Sequence, residues 1–226
     1  SPVEDLQFEC TLDPVSVPLL SEHKVAGSVV FPASGYMELA RAAGERRWGT
    51  PRIRIEGGWF RAALVLDPVG AEGGTTAVSA GRDVRLLVSP SESGDSEFSL
   101  SSRGAQASLA EPWTTHAGGR IAPGGEPDPF EPAAEVLARC DQSVDIEDYQ
   151  DRMAAVGLDY GPSFRALAEA VRTEGEAYGT LQLPASAATT GFGMHPGLLD
   201  AVFHLIGLAH MEPEGPFLLP AGYRSV

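Results

Sequence analysis

Cysteine is scarce in this chain: there are two in 226 residues, Cys10 and Cys140, each isolated. No CxxC pair or Cys/His cluster occurs, which excludes a disulfide framework and a thiolate metal site. Both thiols are expected to be inert, reduced and partly buried. Basic charge is short as well. Lys24 is the sole lysine, and 16 Lys and Arg stand against 31 Asp and Glu, for a formal net charge of −15. Such a field repels phosphate backbones and anionic headgroups, so neither nucleic acid nor a membrane surface is an expected partner. No 18 apolar residues run consecutively, and the opening residues, with Pro2, Glu4 and Asp5, hold no basic stretch ahead of an apolar core. Neither a spanning helix nor a secretory leader is therefore expected, and a cytoplasmic location is. Disorder is not expected either, because 43% hydrophobic residues allow a sizeable core.

What is present alternates between strand and helix signals. Phe8 to Val17 and Val25 to Phe31 suit strands. Pro32 and Ser34 then open a helix over Ala33 to about Arg47, with Tyr36, Leu39, Ala40 and Ala43 on one face and Glu38, Arg41 and Glu45 elsewhere on the wheel. Strand-like segments follow at 52–56, 60–66, 75–80, 84–89, 97–102 and 113–121, broken by Gly, Pro, Ser and Asp. They predict a meandering antiparallel sheet around one helix. The run from Ala122 to Pro132, APGGEPDPFEP, reads as a linker, since proline removes backbone donors and glycine costs entropy. Beyond it the pattern partly repeats: a helix over Val144 to Val156, turn chemistry at Gly161-Pro162, strands at 166–172 and 177–183, and a helix from Pro196 to about His210. That last helix is apolar almost all round, which predicts that protein wraps most of it and that its Asp200 and His204 point into an enclosed space.

Residues i and i+4 of a helix share a face, their Cβ atoms about 5–6 Å apart, so His204 can hydrogen-bond Asp200 and hold its rotamer. The pair is either a buried stabilising contact or an acid with its support. A carboxylic acid in apolar surroundings tends to keep its proton, the state a general acid needs. A neutral imidazole complements it, and His23 opens the run His23-Lys24-Val25-Ala26-Gly27-Ser28-Val29-Val30-Phe31-Pro32. Gly27 would let the backbone approach a ligand, and Pro32 starts a helix whose free amides can polarise a carbonyl. His195 is expected to cap or pack, and His116 and His210 to be structural. A two-His, one-carboxylate metal face from His23, His204 and Asp200 is compatible with the spacing alone.

Four motifs in register, His23-xxx-Gly27-xxxx-Pro32, Tyr160-Gly161-Pro162-Ser163-Phe164, His195-Pro196-Gly197-Leu198-Leu199-Asp200-Ala201-Val202-Phe203-His204 and Leu219-Pro220, resemble the dehydratase domains of modular polyketide synthases along the whole chain. The resemblance implies an α+β double hotdog: two halves, each a curved antiparallel sheet around a central helix. It implies an N-terminal half over residues 1–121 carrying the HxxxGxxxxP motif, a linker over 122–137, and a C-terminal half over 138–226 carrying YGPSF and the Asp200/His204 helix, short of its last strands. His23 would be the base and Asp200 the acid that remove water from a β-hydroxyacyl thioester, leaving an α,β-enoyl thioester. His204 and Tyr160 would support them. Gly27, Pro32, Gly161, Pro162, Leu219 and Pro220 would shape the substrate tunnel, with amides near Gly27 and the first helix accepting the thioester carbonyl. No metal, nucleotide or redox cofactor is implied. The substrate would ride on the phosphopantetheine of an acyl carrier domain, among neighbouring synthase domains, and a homodimer is an expectation.

Several positions depart from the family's pattern: Leu158 in place of an aromatic, Arg165 in place of Gln, and Ala221-Gly222-Tyr223 after Leu219-Pro220 in place of a Phe and a Trp. They leave room for the same acid and base to guide an internal hydroxyl onto the β-carbon, closing a ring, or to shift the double bond. An idle acyl-binding scaffold is the alternative of another class; an intact His23 and Asp200 speak against it. A carrier domain, itself acidic, would be met through tethering or through the arginines at 41, 46, 47, 52 and 54, which serve equally well as a solvated face.

Overall fold

The computed structural model describes residues 4–66, 81–105, 107–108, 110–126, 129–211 and 221–226. The chain forms two compact units, one of Ser1–Ser21, Ser28–Gly125 and Ala221–Val226, the other of Glu22–Gly27 and Glu126–Pro220. Packing thus divides the chain differently from the segments expected at 1–121, 122–137 and 138–226: His23 and Gly27 belong to the second unit, and the last six residues to the first.

The first unit holds β1 (Leu6–Leu12), β3 (Ser28–Val29), α1 (Ala33–Trp48), β4 (Ile53–Phe60), β5 (Arg82–Pro90), β6 (Ser96–Gly104), β7 (Thr114–Pro123) and β12 (Gly222–Ser225). Six of these strands make one antiparallel sheet in the order β1-β5-β6-β7-β4-β12. Only β5-β6-β7 is a meander. Alternate residues of β5 and β6, among them Val84, Leu86, Val88, Phe98 and Leu100, are buried, as a period of two demands of a sheet with one covered face. α1 lies on β4, β5 and β7 with Met37 and Ala40 fully buried. Burying a side chain the size of Met37 stabilises by roughly 1.5–3 kcal/mol.

Several sequence expectations give way here to contacts that periodicity does not carry. β1 stops at Leu12, because the Asp13 carboxylate accepts the Val15 amide at 2.9 Å and turns the chain. Glu38, placed on the polar side of the wheel, is buried, its charge met by both Nε (2.7 Å) and Nη2 (3.0 Å) of Arg41. Past Phe60 the expected strand to Leu66 is reduced to a single bridge, Val65 to Val30, although Leu64 and Leu66 are buried. The strand expected at 75–80 lies outside the described residues. Cys140 is buried, but Cys10 is exposed on the sheet's edge strand, against the expectation of partial burial; both are free thiols.

The second unit holds β2 (His23–Val25), α2 (Ala133–Arg139), β8 (Gln142–Ser143), α3 (Ile146–Ala155), β9 (Leu158–Tyr160), a 3-10 turn (Pro162–Phe164), β10 (Leu167–Thr173), β11 (Glu176–Leu181) and α4 (Pro196–His210). β11-β10-β8 form a three-stranded sheet, and β2 pairs antiparallel with β9. The expected linker is partly structured. Ala122 and Pro123 pair with Arg54 and Ile53 as the end of β7, and α2 occupies 133–139, fastened by Arg139 to Glu131 (2.6 Å) and Glu176 (2.7 Å). Pro132 ahead of Ala-Ala-Glu was a legible start signal for that helix.

α3 begins at its N-cap Asp145, whose carboxylate accepts the Asp148 amide at 3.1 Å. α4 packs on β10, β11 and the 3-10 turn, with Leu199, Ala201 and Leu208 buried. It is less enclosed than its composition predicts: Val202 and Ile206, one turn apart, are 39% and 54% exposed. A three-stranded sheet covers one side of a helix, and these two residues lie off it. Among the described residues no helix is long and apolar enough to cross a membrane.

Candidate active site

In the second unit the antiparallel pairing of β2 with β9 sets His23 opposite Tyr160. The two rings stack, 4.7 Å between centroids at 18°, and the edge of Phe164 closes on His23 at 5.1 Å. Tyr160 also lies parallel to a second imidazole, that of His204, at 5.5 Å and 7°. The sheet pairing and the helix thereby deliver one histidine each to a single tyrosine. Positive φ at Ala26 (50°) and Gly27 (82°) turns the chain immediately after β2; space around Gly27 is open, so glycine serves the turn there rather than a close approach.

α4 carries the acid. His195 is its N-cap, Nδ1 accepting the Gly197 amide at 3.1 Å, and Pro196 occupies the first helical position. Four residues on, Asp200 is 5% exposed, and one further turn brings His204 Nε2 to 3.4 Å from Asp200 Oδ2. Tyr149, on α3 and also buried, meets His204 edge-on at 6.0 Å. Burial, and after it the charge of Asp200, pushes the Tyr149 phenol up to about 12 and the Tyr160 phenol higher still. Both hydroxyls therefore keep their protons through the neutral range and can donate. Burial holds the His195 imidazole below its usual value, opposed by a hydrogen bond to the Ala188 backbone and then by the charge of Glu22.

Of the residues singled out in the sequence, His23, Tyr160, Gly161, Pro162, Asp200 and His204 come together in this unit. Pro32 belongs to the first unit, where it caps α1 with its carbonyl accepting the Gly35 amide at 3.0 Å. Leu219 and Pro220 lie outside the described residues. His195 caps, as expected, and His116 is structural: it is 2% exposed, with Nε2 2.8 Å from Ser102 Oγ and Nδ1 3.0 Å from the Ala62 carbonyl. His210, in the last turn of α4, is exposed. Among the described residues no group of three or more His, Cys, Asp or Glu is arranged to hold a metal ion.

Sequence reading missed Tyr149, Phe164 and Glu22 as parts of this site. Phe164 sat within a quoted motif, and Glu22 is the neighbour of His23, but Tyr149 offered only its place on an amphipathic helix. The departures are also accounted for. Arg165 Nε donates to the Tyr160 carbonyl at 2.6 Å and steadies the turn. Leu158 is a buried β9 residue opposite Val25. Tyr223 lies in β12 of the first unit, over Gly58.

Residues 2–103 match the family model described as polyketide synthase dehydratase domain, and residues 128–226 the one described as polyketide synthase dehydratase N-terminal domain. The crystal structure of the erythromycin dehydratase is 30% identical, with a TM-score of 0.76 over 98% of this chain and 78% of that one. The chain belongs to the polyketide synthase dehydratase domain family. Its fold is the α+β double hotdog of that family, with α1 and α4 as the two helices. An inactive Asp→Asn mutant of the CurK dehydratase superposes with a TM-score of 0.85 at 26% identity (98% and 76% of the two chains). An inactive His→Phe mutant of the same enzyme reaches 0.83 at 27% (98% and 75%). The polyketide synthase GfsE of Streptomyces halstedii is 34% identical over 97% of this chain, which spans 6% of that protein's length.

Proposed function

We propose that this domain eliminates water from a β-hydroxyacyl thioester, His23 acting as base and Asp200 as acid. The observation that supports this most directly is that one tyrosine, Tyr160, stacks on buried His23 and on His204, the partner of buried Asp200, in a single compact unit. The imidazole takes the α-proton. The electron pair left behind forms the Cα–Cβ double bond as the Cβ–O bond breaks, and Asp200 gives its proton to the departing hydroxyl, releasing water. His23 ends with one proton more and Asp200 with one fewer, and exchange with solvent resets both. His204 fixes the carboxyl, and the Tyr160 phenol, still protonated, donates toward the hydroxyl. Gly161 and Pro162 shape the wall beside them. The inactive Asp→Asn and His→Phe mutants of the CurK dehydratase support one Asp and one His as the essential pair.

The chemistry asks for no metal, nucleotide or redox cofactor, because the thioester itself acidifies the α-proton. The substrate arrives on the phosphopantetheine of an acyl carrier domain, with other synthase domains alongside and a homodimer as the working assembly in the cytoplasm. The test is mass spectrometry of a β-hydroxyacyl-carrier thioester bearing a distal hydroxyl, after incubation with the wild type, His23→Ala and Asp200→Asn. Loss of one water that needs both residues is the expected result; a wild type that behaves like its variants overturns the reading. NMR of the product separates a linear enoyl chain from its ring isomer of equal mass.

A further inference from the structure

The three motifs of the second unit are linked in a chain of contacts that begins at a residue none of them contains. Glu22 directly precedes His23. Its backbone carbonyl accepts the Gly161 amide at 2.7 Å, and its carboxylate Oε2 accepts the Ser163 amide at 2.6 Å. Pro162, between those two, has no amide hydrogen to offer. Every N–H of the Gly-Pro-Ser stretch is therefore bound by Glu22. Gly161 is part of the same fit, since a Cβ there would stand 2.8 Å from both Cβ and Cγ of Glu22. On its other side the stretch meets α4: a Cβ on Gly197 would lie 1.8 Å from the Ser163 carbonyl oxygen. The strand bearing His23, the turn bearing Tyr160 and Phe164, and the helix bearing Asp200 and His204 are thus joined in series through Glu22, Ser163 and Gly197.

We infer that Glu22 is a positioning residue for the dehydration, its carboxylate setting the placement of His23 relative to Asp200 by clamping the Gly161–Ser163 backbone. This rests on the proposed roles of His23 and Asp200. Glu22 touches neither reacting atoms nor substrate. A charge-assisted bond of this length is among the stronger ones available to a backbone amide, and near-attack geometry tolerates little error, about 1 Å of misplacement costing about 100-fold in rate.

The test compares Glu22→Gln, Glu22→Asp and Glu22→Ala in the same dehydration assay, with His23→Ala as the inactive control. Gln retains a carbonyl oxygen at the same reach and should keep kcat within about threefold of wild type. Asp is one methylene too short, and Ala has no acceptor, so both should lose roughly 10- to 100-fold in kcat with KM changed less than about threefold. An independent readout is the ¹⁵N-labelled protein without substrate. The Ser163 amide should exchange slowly with solvent deuterium in wild type and Gln, and faster by at least about tenfold in Asp and Ala. Should Ala fail to fold, Asp carries the comparison. Wild-type kcat in Asp or Ala overturns the inference, as does equal impairment of Gln and Ala, which would make the charge and not the bond the operative feature. If the wild type itself does not dehydrate while the Ser163 exchange pattern holds, the clamp stands and the proposed reaction falls.

Discussion

The two units use histidine in opposite ways. In the first, His116 sits on β7 of the six-stranded sheet with both ring nitrogens engaged, by Ser102 Oγ and by the Ala62 carbonyl, and Arg82 completes the set by donating to Ser102. In the second, the rings of His23 and His204 lie against Tyr160, and His204 faces a carboxylate that is itself buried. A histidine whose two nitrogens are both committed, one to a hydroxyl and one to a backbone carbonyl, is held in one tautomer and serves the fold. Imidazoles stacked on a tyrosine are oriented through their faces, and one of them, His204, also meets the Asp200 carboxylate. Burial alone does not separate the two cases, since His23 is 6% exposed and His116 2%; the kind of neighbour does.

The contrast can be broken most sharply at Asp200. Asp200→Asn should lower the dehydration rate by about 1,000-fold or more with the unfolding midpoint close to wild type, as read by product mass spectrometry and urea titration. Next comes Gly197→Ala, which drives a methyl into the Ser163 carbonyl. It should cost about 3 kcal/mol of stability and reduce turnover as well, both measurable on one preparation.

His116→Gln should cost about 2 kcal/mol, the penalty of a disturbed buried hydrogen-bond set, and leave turnover unchanged at saturating substrate. The pH dependence sharpens this. Burial holds the folded His116 imidazole below its ordinary 6.5, against the Ala62 carbonyl, which favours the protonated ring. The unfolded chain then binds the proton first as pH falls. The stability His116 contributes is present in full above about pH 6.5 and drains away below it, with a slope of at most about 1.4 kcal/mol per pH unit. Urea unfolding at pH 7.5 and 5.5 should show a smaller difference for His116→Gln than for wild type.

Tyr160→Phe keeps the ring against both histidines and removes only the donor. A drop of about tenfold in kcat, with the protein equally stable, would separate the hydroxyl's part from the ring's. The smallest effect is at Gly207, on the same helix as Gly197 but with nothing within 4 Å of the point where a Cβ would stand. Gly207→Ala should stabilise by about 0.5–1 kcal/mol, as expected inside a helix. Thermal melts of the two glycine variants should therefore move in opposite directions.

The helix that carries Asp200 was legible, from Pro196 to about His210, because its signals are local: a capping side chain, proline in the first turn and an apolar run interrupted only by Asp200 and His204. The i,i+4 relation of Asp200 and His204 was legible for the same reason. The reach of the linker was not, since α2 depends on ion pairs from Arg139 to Glu131 and Glu176. Nor was the exposure of Val202 and Ile206, which depends on how many strands cover α4.

By itself the sequence determined which short segments carry the candidate residues of the proposed reaction, His23, Tyr160, Asp200 and His204. Tertiary structure alone decided that strand β2 pairs with the distant β9, that Tyr160 takes an imidazole from each of two distant segments, and that Glu22 clamps the turn between them. The physical reason is range. Caps, turns and helical periodicity are written within about four residues of each other, whereas antiparallel pairing and side-chain-to-amide bonds across 141 positions are settled only when the folded chain brings those groups into contact.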